Sequence, residues 1–221
     1  MKKTYFWTYF WVIAVFILIA QVIPGILAGL YVQFQQIPFN LAIAYAALTG
    51  SVLALIIICY LLRNEIKATK PFLRGKDLLW GITSLFGLLV FQMTAALIIQ
   101  AVINSELKSE NTEFIVSLVK SAPLLMLSVA LIGPILEEIV FRKVIFGSLR
   151  KFLGVPFAAV ISSLLFAVAH GELSFLPVYF GMGLILALIY QKSGRIAVPI
   201  IAHCSMNLLV MIAQIYAPNP L

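Results

Sequence analysis

Long apolar blocks occupy most of the chain, near residues 7–31, 39–62, 78–103, 116–150, 155–170, 173–190 and 196–216. A helix rises 1.5 Å per residue, so about 20 apolar residues cross the hydrocarbon of a bilayer. Blocks of this length and number predict an all-α, polytopic membrane helix bundle of about seven transmembrane helices. Proline and glycine punctuate them at Pro38, Pro71, Gly154 with Pro156, Gly194 and the terminal APNPL. The first block runs from about Tyr5 to Leu30, longer than the apolar core of a cleaved signal peptide, and predicts an uncleaved first transmembrane helix. Its head, YFWTYFW at 5–11, is an aromatic belt suited to the headgroup level. No internal repeat or low-complexity segment interrupts the pattern, so a single domain over 1–221 is expected.

Composition strengthens this picture. The chain is 63% hydrophobic and 10% charged, where a soluble domain carries about 25% charged residues. The net charge of +7 does not point to nucleic acid, because the basic residues sit between apolar blocks and not on one soluble face. With the N-terminus inside, one side holds Lys2, Lys3, Arg63, Lys67, Lys70, Arg74, Lys76, Arg142, Lys143, Arg150, Lys151, Lys192 and Arg195. The other side holds only Lys108 and Lys120. That asymmetry predicts a cytoplasmic N-terminus in a multi-pass cell membrane protein, with a bacterial plasma membrane the favoured setting. Cys59 and Cys204 both lie in apolar blocks, so no disulfide framework is expected.

Against this apolar background, Glu137, Glu138 and Arg142 stand out, together with the chain's two histidines, His170 and His203. A charge at the bilayer centre costs roughly 2.5–3.5 kcal/mol, so these residues are expected to face inward, paired, at a functional site. Gly154 and Pro156 lie almost midway between Glu137 and His170. If both flanks are helical, each residue sits roughly 20–24 Å from the turn, so an antiparallel pair returns them to one level. His203 lies eight residues past Arg195, about 12 Å into the membrane, a depth the other two reach if the hairpin protrudes by about 10 Å. Glu138 and Arg142 are i,i+4 with the glutamate first, which favours an ion pair. His203 with Asn207, and Phe166 with His170, share helix faces by the same spacing.

Three motifs carry a resemblance. EEIVFR at 137–142 fits EExxxR, FAVAH at 166–170 fits FxxxH, and HCSMN at 203–207 fits HxxxN. In this order, late in a polytopic chain, they resemble the CPBP family, the CAAX-protease and bacteriocin-processing group of intramembrane proteases also called Abi. The motifs span about 70 residues inside a catalytic core expected over 115–221, whereas 1–114 carries no recognised motif. The resemblance implies a glutamate-centred peptidase. Glu137 would activate water as general base with His170 sharing that water. His203 and Asn207 would stabilise the tetrahedral oxyanion, and Glu138, Arg142 and Phe166 would support the site. The implied substrate is a membrane-associated or lipid-modified peptide or protein, cut near the cytoplasmic leaflet, with the bilayer as the other partner.

Other chemistries stay beside this reading. Glu137, His170 and His203 could supply the three ligands of a catalytic zinc, but HExxH is absent, so no cofactor is expected and zinc is the alternative. An aspartyl dyad is excluded because Asp77, placed in a loop, is the only aspartate. No GxSG motif suggests a serine protease, and Cys204 and Ser205 do not face His203 along a helix. The plainer alternatives are a buried Glu–Arg clamp, interhelical hydrogen bonds from His203 and Asn207, and a core histidine at 170 bonded to a carbonyl. Gly25 with Gly29, and Gly181 with Gly183, are candidate close-packing positions, and Glu172 reads as an interface residue. A non-enzymatic membrane immunity or scaffold protein is the competing function class. A proton-coupled transporter is disfavoured by the lack of repeated halves.

Overall fold

The structure, a computed structural model, describes residues 3–35, 37–68, 73–103 and 109–216. Lys2, Lys70, Pro71, Lys108 and the terminal APNPL fall outside these residues. Among the described residues eight helices follow in order: α1 (3–35), α2 (Phe39–Leu61), α3 (Arg63–Ala68), α4 (Gly75–Ile103), α5 (Glu110–Ser121), α6 (Leu125–Ala169), α7 (Leu176–Ser193) and α8 (Ala197–Tyr216). Six among the described residues are long and apolar enough to cross a membrane: α1, α2, α4, α6, α7 and α8. The expectation of about seven is met when the two limbs of α6, which turn at Gly154, are counted separately. Gly154 has φ 76° and ψ 169°, outside the helical region, so α6 is two helical limbs meeting at that residue. Glycine tolerates this conformation at no steric cost.

The block expected over 116–150 is also broken earlier, at 122–124, where Pro123 interrupts the helix between α5 and α6. Its first part belongs to α5, which begins earlier and carries Glu110 and Glu113 in its first turn. Asp77, expected in a loop, stands in the first turn of α4. There its carboxylate accepts the backbone N–H of Arg74 at 2.9 Å, closing the helix start as a capping box does.

Among the described residues three stretches are π-helical: Phe16–Val22 in α1, and Ser128–Ile132 and Glu138–Phe146 in α6. The first two end two residues before Pro24 and Pro134. A proline lacks the N–H that would close the ladder and crowds the carbonyl four residues back, and widening the turn ahead of it relieves both.

Packing divides the chain into two compact units, Met1–Phe72 with Ile115–Leu136, and Leu73–Phe114 with Glu137–Leu221. In the first, α2 lies on α1 through small residues: Ala28, Ala42 and Ala46 are all buried. Gly50 makes this possible, because a Cβ there would lie 2.6 Å from the Ile19 carbonyl oxygen and 2.6 Å from Pro24 Cγ. Gly25 and Gly29 do not pack as expected. Nothing lies within 4 Å of a Cβ at either, so the small-residue contact of α1 is made by its partner's glycine instead. The Ser51 and Ser128 hydroxyls share a buried hydrogen bond of 2.8 Å.

The second unit packs α4 against α8 and α6 against α7. Leu85, Leu88, Val178, Met182, Leu186, Ala202 and Met206 form its centre. Gly181 and Gly183 do serve close approach: a Cβ on Gly181 would enter the ring of Phe91, and one on Gly183 would lie 2.8 Å from Ser163 Cβ. At one end Arg195 Nε donates to Asp77 at 2.7 Å, tying the starts of α4 and α8 together.

Candidate active site

All the singled-out polar residues belong to the second unit. The two limbs of α6 run antiparallel, and their register is read from two contacts. The Ser162 hydroxyl donates to the Phe141 carbonyl at 2.6 Å, and the rings of Phe141 and Phe166 meet edge-on with centroids 5.4 Å apart. One turn before Phe141 is Glu137, and one turn beyond Phe166 is His170. The hairpin therefore returns these two residues to neighbouring levels, as the position of Gly154 suggests.

Glu138 and Arg142 are fully buried and His203 is 2% exposed. Glu138 divides its carboxylate between two cations or donors. Oε2 lies 3.3 Å from Arg142 Nε, and Oε1 accepts from His203 Nδ1 at 2.9 Å. The ion pair joins residues i and i+4, although the backbone here is π-helical and not the α-helix the spacing assumed. The guanidinium of Arg142 lies over the ring of Phe166, 4.4 Å from its centroid. Such a cation on an aromatic face is stabilised most where water is excluded.

Phe166 is the hub of this arrangement. Its fully buried ring touches Phe141, Arg142, His170 (4.6 Å) and His203 (5.9 Å). The FxxxH spacing thus places one aromatic ring against both histidines and the arginine.

Glu137 differs from its neighbour. Its side chain is 21% exposed, and Oε2 lies 3.8 Å from His203 Nε2. The two adjacent carboxylates therefore face the two nitrogens of one imidazole. Glu138 holds Nδ1 from the buried side, and Glu137 faces Nε2 from the accessible side. A Cys204–His203 dyad has no place here, because both ring nitrogens face carboxylates.

His170 caps the end of α6. Its Nδ1 lies 2.8 Å from the Phe166 carbonyl oxygen. A carbonyl only accepts, so Nδ1 carries the proton, and in the neutral ring Nε2 holds the lone pair. The carbonyl-bonded histidine and the water-handling histidine are therefore compatible: the bond is what sets the tautomer. Asn207 lies one turn beyond His203 on α8 and is half-buried.

Tyr179 was not anticipated. Its ring stacks on His170 with centroids 4.0 Å apart and planes inclined by 25°. Its hydroxyl donates to Glu172 at 3.2 Å, and the same carboxylate oxygen accepts from Ser109 at 2.8 Å. Glu172 is thus a hydrogen-bonding centre and not simply an interface residue. The seven-residue step from Glu172 to Tyr179 spans the α6–α7 turn, so no helical period announced the contact.

Among the described residues no three His, Cys, Asp or Glu side chains converge in a metal-binding group. His203 Nδ1 is engaged by Glu138 and His170 Nδ1 by a carbonyl, so Nε2 is the nitrogen each ring turns to the site.

Comparison with known proteins bears on this geometry. Residues 119–209 match the family described as type II CAAX prenyl endopeptidase, Rce1-like. The chain is 34% identical over 202 residues to the membrane-embedded CAAX protease MroQ of Staphylococcus aureus, covering 86% of this chain and 82% of that one. The chain belongs to the CAAX protease family. YdiL of Bacillus subtilis, which its name marks as a candidate membrane peptidase, is 40% identical over 141 residues. That match covers 64% of this chain and 58% of YdiL. The UPF0177 protein YaiH of Lactococcus lactis is 38% identical over 85 residues, 38% of this chain and 35% of its own. No solved structure matches. The family match contains the Glu137, His170, His203 and Asn207 positions, and membership of this family makes the chain a membrane peptidase.

Proposed function

We propose that this protein is a glutamate-type intramembrane endopeptidase that hydrolyses a peptide bond of a membrane-associated or lipid-modified peptide near the cytoplasmic leaflet. The observation that carries the reading is the split of the carboxylate pair: Glu138 buried in an ion pair, Glu137 partly accessible and 3.8 Å from an imidazole nitrogen. A carboxylate tied to arginine is a poor base, whereas its neighbour can accept a proton from water.

In this reading water lies between Glu137 and the lone pair of His170 Nε2. Glu137 takes a proton as the water oxygen adds to the scissile carbonyl carbon. The carbonyl electron pair moves to oxygen, where His203 and Asn207 stabilise it. With Nδ1 held by Glu138, His203 donates from Nε2 when its ring carries both protons. Collapse of the tetrahedral adduct breaks the C–N bond, and Glu137 returns its proton to the leaving nitrogen. The chain's Lys/Arg asymmetry supports a cytoplasmic N-terminus, which places the Arg195 end of α8, and with it His203, towards the cytoplasm.

The reading is tested with purified protein in proteoliposomes and a quenched fluorescent peptide ending in a farnesylated CAAX sequence. Glu137→Gln and His170→Ala are expected to lower kcat by at least 10²-fold, the usual range for removing a general acid–base group. Full turnover by Glu137→Gln would overturn the assignment. Comparative peptidomics of membranes from wild-type and Glu137→Gln cells then identifies the natural bond. Activity that survives chelation of divalent metals is the expected result for a metal-free site.

A further inference from the structure

The ring of His170 is fixed by more than the Phe166 carbonyl. Phe166 packs against the imidazole with centroids 4.6 Å apart and planes inclined by 62°, and the ring of Tyr179 stacks on its face. Tyr179 is in turn held by its hydroxyl on Glu172, and Glu172 is held by Ser109. Ser109 is itself anchored, because its hydroxyl accepts the backbone N–H of Thr112 at 3.1 Å and so caps α5. The chain of contacts runs from a helix start, through a carboxylate and a phenol, to the face of one imidazole.

His170 needs such a brace for a local reason. It is the C-cap of α6, just past Ala169 and followed by Gly171 at φ 69°, where the helix stops. A side chain at a helix end lacks the crowding of a following turn, and a single hydrogen bond at Nδ1 still allows the ring to rock about that bond. A parallel aromatic at 4.0 Å removes this freedom. We propose that Tyr179 is a positioning residue: stacked on His170 and tethered through Glu172 to Ser109, it holds the plane of the imidazole so that Nε2 is aimed at the hydrolytic water. The proposal rests on the role given above to His170.

Two substitutions separate its parts. Tyr179→Phe keeps the stacked ring and loses the tether, whereas Tyr179→Leu loses the ring. With the farnesylated CAAX peptide, Tyr179→Leu is expected to lower kcat by about 10²-fold with KM within about threefold, the scale of a misplacement near 1 Å. Tyr179→Phe is expected to recover most of that loss. In parallel, protein labelled with 15N in its histidine rings is examined in detergent by NMR. Wild type is expected to show His170 as the tautomer protonated at Nδ1 with a narrow line. Tyr179→Leu is expected to broaden or shift that line while the His203 signal stays in place.

Wild-type turnover by Tyr179→Leu, or a loss shared equally by the Phe variant, would overturn the proposal. So would an unchanged His170 signal in a folded Tyr179→Leu protein. The NMR readout does not require turnover, and activity of Glu137→Gln tests the peptidase assignment, so failure of either idea is recognised separately.

Discussion

Glu137 and Glu138 are chemically identical neighbours, and burial alone makes them different. Glu138 has no exposed surface and meets Arg142 and His203. Glu137 keeps a fifth of its side chain accessible. Removing one partner from a buried ion pair leaves the other charge unpaired, at a cost of about 3–5 kcal/mol. Glu138→Ala is therefore expected to lower the unfolding temperature in detergent and the turnover together. The Glu138→Leu/Arg142→Leu double variant should recover much of the stability, since apolar replacement of a buried pair is often neutral. It should not recover turnover, because His203 Nδ1 has lost its acceptor. A double variant as active as wild type would show that the clamp only holds helices together.

At the scale of elements, close approach of helices depends on where the missing Cβ would have gone. Gly50 opposes backbone and a proline ring, which cannot move aside. Gly181 opposes the Phe91 ring, and Gly183 the Ser163 side chain. Gly87, in the middle of α4, has nothing within 4 Å. Gly50→Ala and Gly183→Val are expected to destabilise by about 1–3 kcal/mol, the range for overpacking. Gly87→Ala should be neutral or gain up to about 1 kcal/mol from helix propensity. Thermal unfolding of the three variants in one detergent checks the order. The GxxxG spacing at Gly25 and Gly29 is visible in the sequence, yet among the described residues nothing lies within 4 Å of a Cβ at either. Spacing shows that a face is small, but not that another helix lies on it.

For the whole molecule, the basic residues give an orientation that can be measured. Lys67 and Lys192 are exposed on one expected side and Lys120 on the other. Single cysteines at these positions, with Cys59 and Cys204 replaced by serine and alanine, would report it. A membrane-impermeant thiol reagent applied to intact cells is expected to label Lys120→Cys and spare Lys67→Cys and Lys192→Cys. The reverse pattern would place the site in the opposite half of the membrane.

Much of this protein follows from its one-dimensional pattern. Apolar blocks long enough to cross lipid dictate helices, because an unpaired backbone group in hydrocarbon is too costly. The scarcity of charge makes each intramembrane charge conspicuous, so Glu137, Glu138, Arg142, His170 and His203 were legible before any coordinates. The hairpin at Gly154 was legible as well, since glycine alone takes its positive φ without strain and Pro156 follows it. Other features needed the tertiary structure. Which carboxylate is buried depends on the path of α8, because His203 reaches Glu138 across 65 residues of chain. The aspartate at 77 reads as a loop residue until Arg195, 118 residues away, closes on it. The stack of Tyr179 on His170 and its tether to Ser109 cross a turn and a gap of more than 60 residues, where no periodicity operates. Local sequence sets helices, turns and the cost of each charge; only packing decides which of those charges share a partner.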